Sequence, residues 1–149
     1  MTNSPTARPT AILSSVPCDS HTWNLLYMQL LLTEHGWAVT NLGACVPIEL
    51  LEQEALERPP SMIVISTVNG HGTQDGVRII ETLRARPKLR DVPVVIGGKL
   101  DTQGSVESGL AETLTEAGYD AVFLGDNAIP EFLSFTDRLA HRHAVRSSR

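Results

Sequence analysis

Cysteine is nearly absent from this 149-residue sequence: Cys18 and Cys45 are the two it has, too few for a disulfide framework. Cationic charge is also scarce. Lys and Arg number 12 against 17 Asp and Glu, for a formal net charge of −5. That acidic balance argues against nucleic acid as the main partner, because phosphate recognition rests on clustered Lys and Arg. No apolar run approaches the ~20 residues that cross a bilayer. No charged-then-apolar leader opens the chain, so a cytoplasmic location is expected. Neither G-x-G-x-x-G nor a P-loop is present. What is there suffices for a core: 42% of the residues are hydrophobic and 19% charged. A chain of this length buries roughly 70% of its unfolded surface as one domain.

Apolar runs alternate with amphipathic stretches. Residues 1–9 (MTNSPTARP) read as a disordered lead. Strands are expected at 10–16, 37–42, 62–66, 93–96 and 119–124. Helices are expected at 23–35, 48–58, 74–85, 107–117 and 128–141, before a basic flexible tail at 142–149. Gly36, Pro59-Pro60 and Gly118 mark helix ends. The run MIVIS at 62–66 is apolar at both parities, the mark of a parallel strand covered on both faces. Five βα alternations with right-handed crossovers give one α/β domain over 10–141. The expected architecture is a flavodoxin-like, doubly wound, five-stranded parallel sheet of order 2-1-3-4-5. Ligands of such sheets gather beyond the carboxyl ends of the strands, at the switch between strands 1 and 3.

Four loops should meet there: PCDSHTWN at 17–24, STVNGHG at 66–72, Gly97-Gly98-Lys99 and Gly125-Asp126-Asn127. Asp19 and His21 are the chemically loaded pair. A metal-bound imidazole commonly gives its other N–H to a carboxylate, which fixes its tautomer. The competing reading is a surface loop with two incidental polar residues. Ser66 and Thr67 end the most buried strand; a hydroxyl there either donates to a ligand or caps a backbone group. Gly97-Gly98 either needs positive φ or lets something bulky approach the backbone. His71 is either a second ligand or a solvated loop histidine. His35 closes a helix, where a cation suits the dipole, and reads as structural. Cys18 and Cys45 read as small unreactive residues, with Cys18 close enough to the site to be open to oxidation. A phosphoacceptor receiver domain would need a carboxylate where Ser66 and Thr67 stand, and a lysine where Gly125-Asp126-Asn127 stands. A flavodoxin would need a glycine-rich phosphate loop at 17–24, which has no glycine.

Three signals fall in order: Asp19-x-His21-x-x-Asn24, Ser66-x-Val68 and Gly97-Gly98. Together they resemble the D-x-H-x-x-G, S-x-L and G-G pattern of the cobalamin-binding domains of B12-dependent mutases and methionine synthase. The resemblance spans residues 10 to about 139. In size, and in the stretches VTNLGACVPIELLEQEA and VISTVNGHGTQDG, the chain is most similar to the small subunit of glutamate (methylaspartate) mutase.

The resemblance implies adenosylcobalamin as cofactor. His21 would displace the dimethylbenzimidazole base and ligate cobalt from below, a metal imidazole suits. Asp19 would hydrogen-bond His21. The displaced nucleotide tail would enter a slot beside the sheet, with Ser66 donating to the base and Gly97 and Gly98 leaving it room. Ser20, Thr22, Asn24 and Val68 complete the implied cofactor-binding set. Asn24 departs from the pattern's glycine, where a side chain either crowds the slot or adds a polar contact. Val68 in place of leucine is a mild loss of packing, and Trp23 adds bulk. A larger partner subunit is implied, holding the substrate while glutamate and 3-methylaspartate interconvert. The cofactor carries that chemistry, so no catalytic residue and no turnover are expected of this chain alone. The alternatives are a stand-alone corrinoid carrier, a B12-sensing module, or a flavodoxin-like protein in which Asp19 and His21 are incidental.

Overall fold

The computed structural model describes residues 8–68, 72–98 and 107–147. Strands and helices alternate through β1 (Thr10–Ser14), α1 (Trp23–Glu34), β2 (Ala38–Asn41), α2 (Ile48–Glu57) and β3 (Met62–Thr67). They continue through α3 (Gly72–Arg84), β4 (Val94–Gly98), α4 (Glu107–Ala117), β5 (Ala121–Phe123) and α5 (Ala128–Ser147). Every pairing is parallel and the order is β2-β1-β3-β4-β5, as the alternation of elements implies.

Pleating sends alternate side chains of the central strands to opposite faces. Ile12, Ile63, Ile65, Val94 and Ile96 pack against Leu51 and Ala55 of α2, Ile80 and Leu83 of α3, and Leu114 of α4. Ala11, Leu13, Val64 and Val95 pack against Leu25, Met28 and Leu32 of α1, Phe132 of α5, and the buried Trp37. Helices α1 and α5 thus cover one face, and α2, α3 and α4 the other. All six residues of β3 are buried. Each aliphatic side chain so covered contributes roughly 1.5–3 kcal/mol relative to exposure.

Most element boundaries shift by one or two residues from the sequence reading, and two of the differences carry meaning. Strand β4 runs on through Gly97 and Gly98, which lie in register with Ser66 and Thr67. A Cβ on Gly98 would stand 2.0 Å from the Thr67 carbonyl oxygen, and Gly98 has φ +112°. A Cβ on Gly97 would stand 2.9 Å from the Phe123 carbonyl oxygen. Both readings of the glycine pair therefore hold, one at each position: positive φ at Gly98, close backbone approach at Gly97. The second difference is at the end of the chain. Residues 142–147 are helical, because α5 continues to Ser147, where a flexible tail was expected. No glycine or proline follows Pro130 to stop it.

His35 caps α1 as expected: its Nδ1 lies 2.8 Å from the Leu31 carbonyl oxygen. Residues 1–7 of the expected lead lie outside the described residues. Among the described residues no helix is long and apolar enough to cross a membrane.

Candidate functional site

The loop from β1 to α1 is pinned through Asp19. Its N–H donates to the Val16 carbonyl at 3.1 Å, and its own carbonyl accepts the Cys45 N–H at 2.8 Å. The side chain is fully buried. Four donors converge on its carboxylate. The Thr67 hydroxyl (2.6 Å) and the Val68 N–H (2.9 Å) donate to Oδ2. The His21 N–H (3.0 Å) and ring Nδ1 (2.6 Å) meet Oδ1. Burial pushes this carboxyl up. The hydrogen bonds from Thr67, His21 and Val68 outweigh it and hold Asp19 at about 2, below the usual carboxylate range.

Asp19 is therefore an anion at neutral pH, and an anion at 2.6 Å selects the His21 tautomer with its proton on Nδ1. The other nitrogen, Nε2, keeps a lone pair to offer. The His21 side chain is 52% exposed, so that lone pair is accessible. An oriented imidazole backed by a carboxylate is a strong donor to a metal. Among the described residues no group of three or more His, Cys, Asp or Glu is arranged to hold a bare ion. A single imidazole suits a metal that brings its other ligands with it.

Beside this pair, on the α1/α5 face, lies a cavity of about 300 Å³. The ends of β3 and β4 line it with Val64, Ser66, Val95, Gly97 and Gly98. Helix α1 contributes Trp23, Asn24, Tyr27 and Met28, and the far wall is Phe123, Ile129 and Phe132. Phe123 and Phe132 meet edge to face, ring centroids 5.5 Å apart. Trp23 is 66% exposed, so it stands at the mouth. Val68 joins the two halves of the site: it lines the cavity, and its N–H holds Asp19. The slot is mostly apolar and suits a flat ring with one hydrogen-bonding edge.

Asn24 adds a polar contact. Its Nδ2 donates to the Ser66 hydroxyl oxygen at 3.1 Å and to the Ser66 carbonyl at 3.4 Å. Its Oδ1 is buried without a partner among the described residues. An orphaned acceptor beside a serine hydroxyl fits a ligand rather than a finished core.

Of the residues singled out in the sequence, Asn24, Ser66, Val68, Gly97 and Gly98 line the slot, with Asp19 and His21 next to it. Ser20 and Thr22 are exposed and flank His21 without lining the slot. Thr22 is the N-cap of α1, with no capping bond from its side chain. His71 and Lys99 lie outside the described residues. Cys18 and Cys45 are exposed and form no disulfide. The Asp75 carboxylate near Cys18 pushes its thiol up, away from the reactive thiolate. Thr67, read with Ser66 as a ligand donor or a backbone cap, donates instead to the Asp19 carboxylate, and pleat parity was the signal for that difference. Ser66 shares a face with Val64 and Thr67 with Ile65, so the two hydroxyls serve different halves of the site.

Comparison with known proteins agrees with this geometry. The glutamate mutase sigma subunit of Halobacterium salinarum is 27% identical over 115 residues, which is 77% of this chain and 76% of that protein. The HTH-type transcriptional repressor CarA of Myxococcus xanthus is 32% identical over 93 residues, 62% of this chain but 31% of the repressor. The crystal structure of a novel cobalamin-binding protein from Desulfitobacterium hafniense DCB-2 superimposes with a TM-score of 0.74 at 20% identity. That alignment covers 89% of this chain and 60% of the other, and shows a shared fold. The model of the B12 binding domain matches residues 9–107, from the start of β1 to the start of α4. Asp19, His21, Asn24, Ser66, Val68, Gly97 and Gly98 all lie inside that match, and the chain belongs to the B12-binding domain family.

Proposed function

We propose that this chain is the cofactor-binding subunit of an adenosylcobalamin-dependent carbon-skeleton mutase, completed by a larger catalytic subunit. The observation that carries the reading is the Asp19–His21 pair, which leaves Nε2 accessible at the head of a slot of about 300 Å³. His21 would hold cobalt through Nε2. Asp19 keeps the proton on Nδ1, and Thr67 and Val68 keep Asp19 in place. Ser66 would donate a hydrogen bond from its hydroxyl to the nucleotide tail, and Gly97 and Gly98 leave the β4 side of the slot free of side chains. Bound adenosylcobalamin supplies a cleavable cobalt–carbon bond and hence radical chemistry. This chain binds, orients and shields; the substrate is the partner's task.

Interconversion of glutamate and 3-methylaspartate is the finer reading. It is supported by the sigma-subunit relative, of which this chain spans 76%. A B12-sensing or corrinoid-carrying module is the second reading, and the likeness of part of a transcriptional repressor to this chain favours its regulatory form. The test is to mix the purified chain with adenosylcobalamin, then with the larger subunit of a glutamate mutase. The expected result is a base-off, imidazole-ligated spectrum, followed by turnover of glutamate. An unchanged spectrum in both mixtures overturns the cofactor role. Binding of cofactor with no turnover of glutamate overturns the mutase reading in favour of the module.

A further inference from the structure

We propose that Asn24 makes the slot selective for the base at the end of the corrinoid's nucleotide tail. The preferred base carries an amino donor beside a ring nitrogen, as adenine does. Dimethylbenzimidazole, which has no N–H to give, is the poorer ligand. This inference rests on the cofactor role proposed above.

The argument starts from atoms whose roles cannot be exchanged. The Ser66 carbonyl can only accept, so the end of the Asn24 amide that faces it is the nitrogen. The same nitrogen donates to Ser66 Oγ at 3.1 Å. That bond occupies a lone pair of the hydroxyl and leaves its proton to be given elsewhere. The opposite end of the amide, Oδ1, is buried with no partner among the described residues. Asn24 as a whole is 6% exposed and lines the slot. One donor (the Ser66 O–H) and one acceptor (Asn24 Oδ1) are therefore held together in a slot whose other walls include Val64, Val95 and Phe123.

A base that only accepts satisfies Ser66 and leaves Oδ1 unpaired in an apolar surround. A base with an acceptor nitrogen next to an amino group satisfies both. Adenine offers such a pattern on its N1/N6 edge, which stays free when the ribose is attached through the imidazole ring. Sites built to hydrogen-bond a polar group reject analogues lacking it far more strongly than apolar pockets reject a missing methyl group. Glycine at this position would give up both the acceptor and the hold on Ser66.

The test compares two cobamides that differ only in the lower base, adenine or 5,6-dimethylbenzimidazole. Dissociation constants are read from visible spectra of the purified full chain. Wild type is expected to bind the adenine form roughly tenfold or more tightly. Asn24→Gly is expected to lose that preference. Asn24→Ala, a better helix former, should lose it too, which separates the missing acceptor from a frayed α1. Equal affinities in wild type, or a preference for dimethylbenzimidazole, overturn the proposal. So does an equal weakening of both cobamides in the variants, which would make a ribose hydroxyl the donor. If wild type binds neither cobamide, alone or with the larger subunit, the cofactor role itself is overturned along with it.

Discussion

His21→Ala abolishes the imidazole-ligated spectrum of the bound cofactor and weakens binding by more than the roughly 10–100-fold that loss of a supporting residue costs. The reason is local. Nε2 is the lone pair that the Asp19 anion orients, and the ring bearing it is 52% exposed. The fold should survive. The backbone N–H of residue 21 still donates to Asp19, and Thr67 and Val68 still hold the other oxygen. Titration by visible spectroscopy, with circular dichroism as a check on folding, decides it. An unaltered spectrum with folded His21→Ala would show that cobalt is held by another group.

Asp19→Asn should damage both stability and site. The carboxylate accepts four hydrogen bonds while fully buried, and an amide can accept at one of its two atoms. One donor or more is then left facing an N–H₂ group, a loss of about 1–3 kcal/mol. The acid limb of stability carries a second signature. Asp19 sits at about 2 in the folded chain, below its ordinary value of 3.8. A depressed carboxylate stabilises the fold fully above its unfolded value. That contribution is lost as pH falls from 3.8 through about 2. Its size is about 2 kcal/mol. Urea denaturation at pH 7 and at pH 3 should show wild type losing part of this increment, with Asp19→Asn lacking that share of the dependence. An identical loss in both proteins would mean that Asp19 is not held as an anion.

The order of elements was legible because each strand is an apolar run and each helix has a period and a stop. MIVIS had to be central, since both its parities are apolar. The last turns of α5 were not legible: HRHAVRS reads as charge, and the absence of any stop residue was the better guide. The Asp19–His21 pair was legible because its two members are close in sequence and the topology says where loop 17–24 lies. The role of Thr67 depends on a contact spanning 48 residues, and that of Asn24 on one spanning 42. Neither distance is encoded locally. The aromatic wall of the slot, Phe123 and Phe132, lies beyond the loops that attract attention and beyond the matched residues 9–107.

The two tryptophans occupy opposite environments, one 66% exposed at the mouth of the slot and the other 1% exposed in the core. In optical terms the chain carries two lamps of different colour. A water-facing indole emits to the red, and a buried one to the blue. A corrin ring absorbs light in the region where indoles emit, so a ligand seated beside Trp23 dims the red lamp first. Trp37 goes on reporting whether the core is intact. Occupancy and folding can then be followed in a single emission spectrum, with no label attached.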